Sequence, residues 1–247
     1  MLSERQRILD EVLFTKCTCN GCNQPAKDAY ARSVACSYCP NGICLVDAYP
    51  LSCTKCGTPC KQSIKEVNDL NDTIIDHLEE EKTERNVKLS LHRSIRLFEM
   101  RVGLLSKYNI PLALLGYEIV TRACTLNEFQ IAIKYAHTFH VALLFNLPFG
   151  YPMLTHYLFA AIAALSHEKN LPSWGKEMIE TVSASLYLSH GPLDSSKNDI
   201  ETENLHDLLS KVKGMFNIKT DGGELCASPA KKLYVSSAKV IMNVVNH

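Results

Sequence analysis

The stretch CSYCPNGICLVDAYPLSCTKC, residues 36–56, determines how the front of the chain folds, because it contains two Cys-x-x-Cys pairs. Each pair forms a tight turn that points two thiolates at one metal ion, and two such turns complete a tetrahedral site of four sulfurs. Thirteen residues separate the pairs, and Gly57 and Pro59 favour a sharp turn after the second. The predicted zinc ligands are Cys36, Cys39, Cys53 and Cys56.

A second cysteine motif, CTCNGC at residues 17–22, supplies three thiolates within six residues. We predict that Cys17, Cys19 and Cys22 also bind zinc, which prefers four ligands in a structural site. The triplet is therefore one ligand short. Its fourth ligand could be Cys44, Cys60 or a residue outside this chain.

Disulfides are the alternative explanation for this cluster, which holds nine of the eleven cysteines between residues 17 and 60. Disulfides would imply a secreted protein, but residues 1–16 are charged and lack the apolar core of a signal peptide. We therefore favour Zn²⁺, which would also supply the folding energy that a module of this size lacks.

The charge and hydropathy of the chain exclude several partner classes. Its 26 basic and 26 acidic residues balance, so no overall field attracts nucleic acid or anionic membranes. The cations of the cysteine segment are scattered, which disfavours a nucleic-acid site. The longest apolar runs, such as residues 158–165, are far below the roughly 20 residues of a membrane span. We expect a soluble cytoplasmic or nuclear protein.

Every segment after the cysteines has helical periodicity. Residues 63–82 place apolar side chains three and four apart, and Ser63 with Glu66 forms a capping-box pattern. Further helices are expected over 87–107, from Pro111, from an Asn127 cap, from Pro152, from Pro172 to His190, and over 198–213. Residues 217–229 are expected to form a loop, and residues 230–247 a possible last helix.

Helix pairs recur at a fixed interval, because Pro111 and Pro152 lie 41 residues apart and each begins such a pair. This repetition is typical of tetratricopeptide-like solenoids. The predicted fold is mainly α: a cysteine-rich zinc module (1–62), a connecting helix (63–85) and a tetratricopeptide-like array of antiparallel helix hairpins (86–247).

Polar and reactive side chains within the helices are better explained by packing than by catalysis. His137 and His140 lie three apart with no carboxylate or cysteine near them in sequence, so we predict packed histidines. Cys124 fits a buried small hydrophobe. The tyrosines at helical positions are expected in the core or a groove: Tyr117, Tyr135 and Tyr157.

The segment RQRILDEVLFTKCTCNGC, residues 5–22, resembles the SET and MYND domain-containing (SMYD-type) lysine methyltransferases, in which an Arg-x-x-x-Leu lead-in precedes a post-SET Cys-x-Cys-x-x-Cys. Arg5 and Leu9 match that lead-in. Residues 146–165 and 186–193 are similar to parts of the family's tetratricopeptide-like helical domain. The stretch 36–56 is similar to an extra zinc module of some members.

The resemblance implies S-adenosylmethionine-dependent methyl transfer to lysine in histone or other proteins. In the family, the triplet's fourth ligand comes from an Asn-His-x-Cys motif of the SET domain, and the only Asn-His here is at 246–247. The cofactor loops and catalytic tyrosine region are also missing. We therefore expect a C-terminal fragment or truncated gene model, without catalytic residues and inactive alone.

The family also suggests partners for such a fragment. It would need the missing SET domain to bind S-adenosylmethionine, and its helical groove would hold a protein substrate or peptide. The aromatic residue that stacks on the cofactor in the family corresponds to Thr15, so Phe14, one residue earlier, is the candidate cofactor contact. The alternative function is a non-enzymatic adaptor that joins a zinc ribbon to a helical repeat.

Overall fold

The structure, a computed structural model, describes residues 29–46, 50–146, 152–190 and 200–218. Within these ranges the chain is mainly helical, as predicted, with two short paired strands among the cysteines. In chain order the elements are β1 (Val34–Ala35), β2 (Ile43–Cys44), α1 (Ile64–Glu81), α2 (Val87–Arg101), α3 (Ile110–Thr125), α4 (Phe129–Asn146), α5 (Pro152–Leu165), α6 (Gly175–His190) and α7 (Ile200–Met215).

The capping box predicted at the start of α1 is present. The Ser63 hydroxyl accepts from the Glu66 backbone N–H at 3.2 Å, and the Glu66 carboxylate accepts from the Ser63 backbone N–H at 2.7 Å. Both backbone N–H groups, which have no acceptor within the helix, are thereby hydrogen-bonded. The apolar stripe of α1 faces inward, with Val67 and Ile74 fully buried.

Three helix boundaries differ from the sequence prediction. Helix α2 ends at Arg101 rather than near 107, because Val102 is extended and Gly103 has a φ of 87°. Asn127 does not cap α4; it adopts the left-handed conformation, with a φ of 59°, two residues before the helix begins. Helix α6 begins at Gly175, whose N–H donates to Pro172 in a preceding turn.

The helices pack in chain order and also at every second position. Each of α1 to α7 contacts the next one, and α1, α3, α5 and α7 also contact one another in succession. One hydrophobic core runs from the strands to α7, from Val34 and Cys44 to Val212. The cysteine segment and the helices therefore share a continuous interior.

A cluster of aromatic side chains joins the cysteine segment to the helices. Tyr30 meets Phe145 edge-on, with ring centroids 5.0 Å apart, and Tyr108 lies 4.5 Å from the same ring. Ile43 of β2 completes this small cluster. It fixes the strands against the end of α4.

Candidate metal centre

The structure brings together the four cysteines predicted from their spacing. The Sγ atoms of Cys36, Cys39, Cys53 and Cys56 all lie within 4.8 Å of one another. Across the two turns, Cys39 lies 3.7 Å from Cys53 and Cys36 lies 3.8 Å from Cys56. A tetrahedron with Zn–S bonds of about 2.3 Å has edges of about 3.8 Å. The cluster could therefore hold a metal ion and is compatible with zinc.

Backbone N–H groups point at the sulfurs in the same way in both turns. The Tyr38 N–H donates to Cys36 Sγ at 3.3 Å, and the Lys55 N–H donates to Cys53 Sγ at 3.3 Å. Such bonds to sulfur favour the thiolate, which is the form that binds a metal. The local chain conformation thus prepares each pair for an ion.

Gly42 leaves the space in which the sulfurs meet. A Cβ at this position would lie 2.4 Å from Cys39 Sγ and 2.6 Å from Cys53 Sγ. The Gly42 carbonyl accepts from the Cys36 N–H at 2.9 Å, which closes the first turn. Asn41 makes this turn possible with a φ of 61°, because asparagine tolerates the left-handed region.

The short strands hold the two turns side by side. Thr54 N–H donates to the Ile43 carbonyl at 2.8 Å, and Cys44 pairs with Cys53 as an isolated bridge. The second turn closes through Gly57, whose N–H donates to the Cys53 carbonyl at 3.0 Å. Gly57 has a φ of 69°, which disfavours a residue with a side chain.

Cys56 and Cys39 have pKa values shifted in opposite directions. Hydrogen bonds from the hydroxyl and backbone N–H of Thr58 lower the pKa of Cys56 to about 6. Burial, together with hydrogen bonds that the Cys39 thiol donates to Cys56 and Cys53, raises the pKa of Cys39 to about 12. A metal ion would replace the protons that such a cluster otherwise retains. The Lys55 ammonium, which donates to the Pro40 carbonyl, adds positive charge beside the thiolates.

The other described cysteines are free thiols. Cys44 is buried, and burial together with the nearby Cys60 thiol raises its pKa. The Cys60 thiol donates to the Gln62 side chain at 3.0 Å. Burial also raises the pKa of the half-buried Cys124, in agreement with its predicted packing role. No disulfide is present among the described cysteines.

Several predicted site residues lie outside the described part of the chain: Phe14, Cys17, Cys19 and Cys22. Within it, His140 is buried in α4, with Nδ1 2.7 Å from the His137 carbonyl. Burial lowers the pKa of His140, and this side chain is packed, as predicted. The same prediction was wrong for His137, which is exposed.

A polar cluster between α1 and α2 had no signal in the sequence. His77 Nε2 lies 2.9 Å from the Ser94 hydroxyl, and His77 Nδ1 lies 3.8 Å from the Glu81 carboxylate. The arrangement of Ser94, His77 and Glu81 resembles a catalytic triad. The Ser94 side chain, however, is fully buried between helices and out of reach of a substrate. Arg93 bridges Glu81 and Glu84 at 2.8 Å each. The cluster ties the two helices together.

No protein-family model matches the sequence, and no curated protein is similar to it. Among the helices of the described residues, none has both the length and the apolar character needed to cross a membrane. Inference about function therefore rests on the site and the fold.

Proposed function

We propose that Cys36, Cys39, Cys53 and Cys56 bind one zinc ion and that this ion is structural. Four protein sulfurs fill a tetrahedral shell and leave no position for water or substrate. The turn that presents Cys53 and Cys56 lies against β2, and Cys44 and Cys53 are part of the hydrophobic core. Zinc would supply the folding energy of this short segment and hold it against the helices.

We also propose that α1 to α7 form a tetratricopeptide-like array. The support is the packing pattern, in which consecutive helices contact and α1, α3, α5 and α7 form a continuous inner row. Helix pairs that stack only on their neighbours are the basis of such solenoids. The inner row would line a groove for a protein substrate or peptide.

The function that these features support best is a zinc module and helical domain of a SET and MYND-type protein-lysine methyltransferase. The observation that carries it is the order along the chain, where a four-cysteine cluster precedes a stack of helices and shares a hydrophobic core with it. In the intact enzyme, S-adenosylmethionine bound with the SET domain supplies the methyl group. The residues of this chain would scaffold that domain and position the protein substrate.

A reconstitution experiment tests this function. The purified chain is mixed with a separately expressed SET and MYND segment of a family member, then assayed with labelled S-adenosylmethionine and histones. We expect no transfer by the chain alone, binding to the SET segment, and increased methylation in the mixture. Failure to bind and to stimulate, or robust transfer by the chain alone, would contradict the proposal.

An adaptor without enzymatic partners is the second candidate, favoured by an aromatic pair on the inner row. The rings of Tyr117 in α3 and Tyr157 in α5 meet edge-on, with centroids 4.8 Å apart, and both are half-buried. Such pairs suit a peptide groove. A peptide library that selects one motif, with binding lost in Tyr117→Ala and no effect of the SET segment, would favour the adaptor.

A further inference from the structure

The outward face of α1 is acidic. Asp69, Asp76 and Glu80 are exposed, and their side chains make no ion pair within the described residues. Their spacing of seven and four residues places them on one stripe, directly opposite the buried stripe. Lys65 lies near this stripe at its first turn, and Arg32 pairs beside it with Asp72 at 2.9 Å. Ile75 flanks it with 39% of its surface exposed.

The outward face of α2 is basic and apolar. Leu89, Arg96 and Met100 follow one another along the solvent side, spaced seven and four residues apart. Leu89 is 47% exposed and Met100 is 51% exposed. Lys88 and Arg96 have no ion partner among the described residues, unlike Arg93, which binds Glu81 and Glu84.

These two faces belong to one helix hairpin. Helices α1 and α2 contact each other, and both pack against α3 on their inner sides. Their outer sides therefore form a single surface that is acidic along one helix and basic along the other. A two-fold rotation places the acidic helix of one copy over the basic helix of another, twice in the same interface.

We propose that this hairpin surface binds a second copy of the chain. An acidic peptide would satisfy only α2 and a basic one only α1, whereas a second copy satisfies both faces at once. The exposed Ile75, Leu89 and Met100 would supply the apolar contacts, while the charges set the orientation.

The size of the surface sets the expected strength of binding between the two copies. Helix α1 has 18 residues and is about 27 Å long at 1.5 Å per residue, and two helix widths add about 20 Å. Each copy would then bury on the order of 500 Å², close to 1,000 Å² in total, the lower end for specific interfaces. The dimer is therefore weak and sensitive to salt.

Sedimentation equilibrium of the full chain tests the proposal. At about 50 mM salt we expect mass to rise with concentration from the 27.6 kDa of one chain to twice that value. At about 1 M salt, where the Debye length is near 3 Å, the dimer should dissociate in large part. A chain that stays monomeric at every concentration and salt overturns the proposal.

Charge reversal makes the test specific. Asp69→Lys with Asp76→Lys makes both helices basic, and Lys88→Glu with Arg96→Glu makes both acidic, so each double variant alone should be monomeric. An equimolar mixture of the two should form a heterodimer. The control is Glu177→Lys with Glu180→Lys on α6, which should dimerise like the parent chain.

Two further results would overturn the proposal. One is double variants that dimerise as well as the parent chain. The other is a mixture that stays monomeric while circular dichroism shows both variants folded. A parent chain that stays monomeric but binds a synthetic acidic amphipathic helix would assign the α2 face to such a partner instead.

Discussion

Gly42 allows the two cysteine turns to approach closely, because it has no side chain. In Gly42→Ala the new Cβ would overlap two sulfurs, at 2.4 and 2.6 Å, so at least one thiolate must move. We expect zinc affinity to fall by about tenfold or more, as for substitutions beside metal ligands. Competition with a chromophoric chelator measures it.

The matched control for Gly42 is Gly214→Ala in α7. A Cβ there meets nothing within 4 Å, so we expect unchanged zinc affinity and a stability gain of about 0.5–1 kcal/mol. Equal zinc affinity in the two variants would show that the space at Gly42 is not needed by the site.

At the residue scale, the sequence was sufficient for the ligands but not for their surroundings. The four cysteines were predictable because a Cys-x-x-Cys turn is local and its spacing sets where the sulfurs point. The role of Gly42 was not, because it depends on Cys53, eleven residues away, approaching the same point. The contact of His77 with Ser94 likewise depends on how two helices pack.

Helices α3 and α4 pack closely at Gly116, where a Cβ would lie 2.9 Å from the Thr138 hydroxyl. We expect Gly116→Ala to destabilise the chain by about 1–3 kcal/mol through overpacking. In a Thr138→Ala background the obstructing atom is gone, so the same substitution should cost much less. Urea unfolding of the parent chain, the two single variants and the double variant gives the coupling free energy between the two positions. Additive effects would contradict this packing.

The α1 capping box should make stability depend on pH. Hydrogen bonds from the Ser63 backbone N–H and hydroxyl lower the pKa of Glu66 from its ordinary 4.5. The stabilisation is therefore present above that value and lost as the pH falls through the lowered pKa.

We expect Glu66→Ala to lower Tm at pH 7, and the difference from the parent chain to shrink below pH 4. The exposed Glu80→Ala, which has no such partners in the described chain, is the control. A Tm difference for Glu66→Ala that is the same at both pH values would contradict the capping role.

At the element scale, the starts of α1 and α5 were predicted, whereas the starts of α4 and α6 and the end of α2 were not. The α1 capping box and Pro152 act within one turn of the chain, so local chemistry fixes them. The end of α2 was missed because the chain leaves the helix at Gly103 to pair with the strands, where Ala35 N–H donates to the Leu104 carbonyl at 2.9 Å. That contact joins residues 69 positions apart in the sequence, so no local pattern predicts it.

Asn109 connects the cysteine segment with the helices. It caps α3 by accepting from the Leu112 N–H, and its amide donates to the Asn71 side chain at 2.8 Å and the Ser33 carbonyl at 3.2 Å. Asn109→Ala removes the cap and takes the donor away from the buried Asn71 side-chain oxygen, so we expect a loss of about 2–4 kcal/mol in unfolding free energy.

Asn86→Ala provides the comparison for Asn109. Asn86 caps α2 through the Leu89 N–H at 3.0 Å, but it is exposed and makes no other side-chain bond in the described residues. Its loss should cost about 1 kcal/mol. If both variants unfold at the same urea concentration, Asn109 does not join the two parts of the molecule.

At the scale of the whole molecule, the proposed metal centre would stabilise the stack of helices through the core that the cysteine segment shares with it. The most direct test is zinc K-edge X-ray absorption of the chain carrying Cys17→Ser, Cys19→Ser and Cys22→Ser, which leaves the four-cysteine site intact. We predict one zinc per chain bound by four sulfurs at about 2.3 Å. A shell with fewer sulfurs, or a folded chain without zinc, would contradict the account.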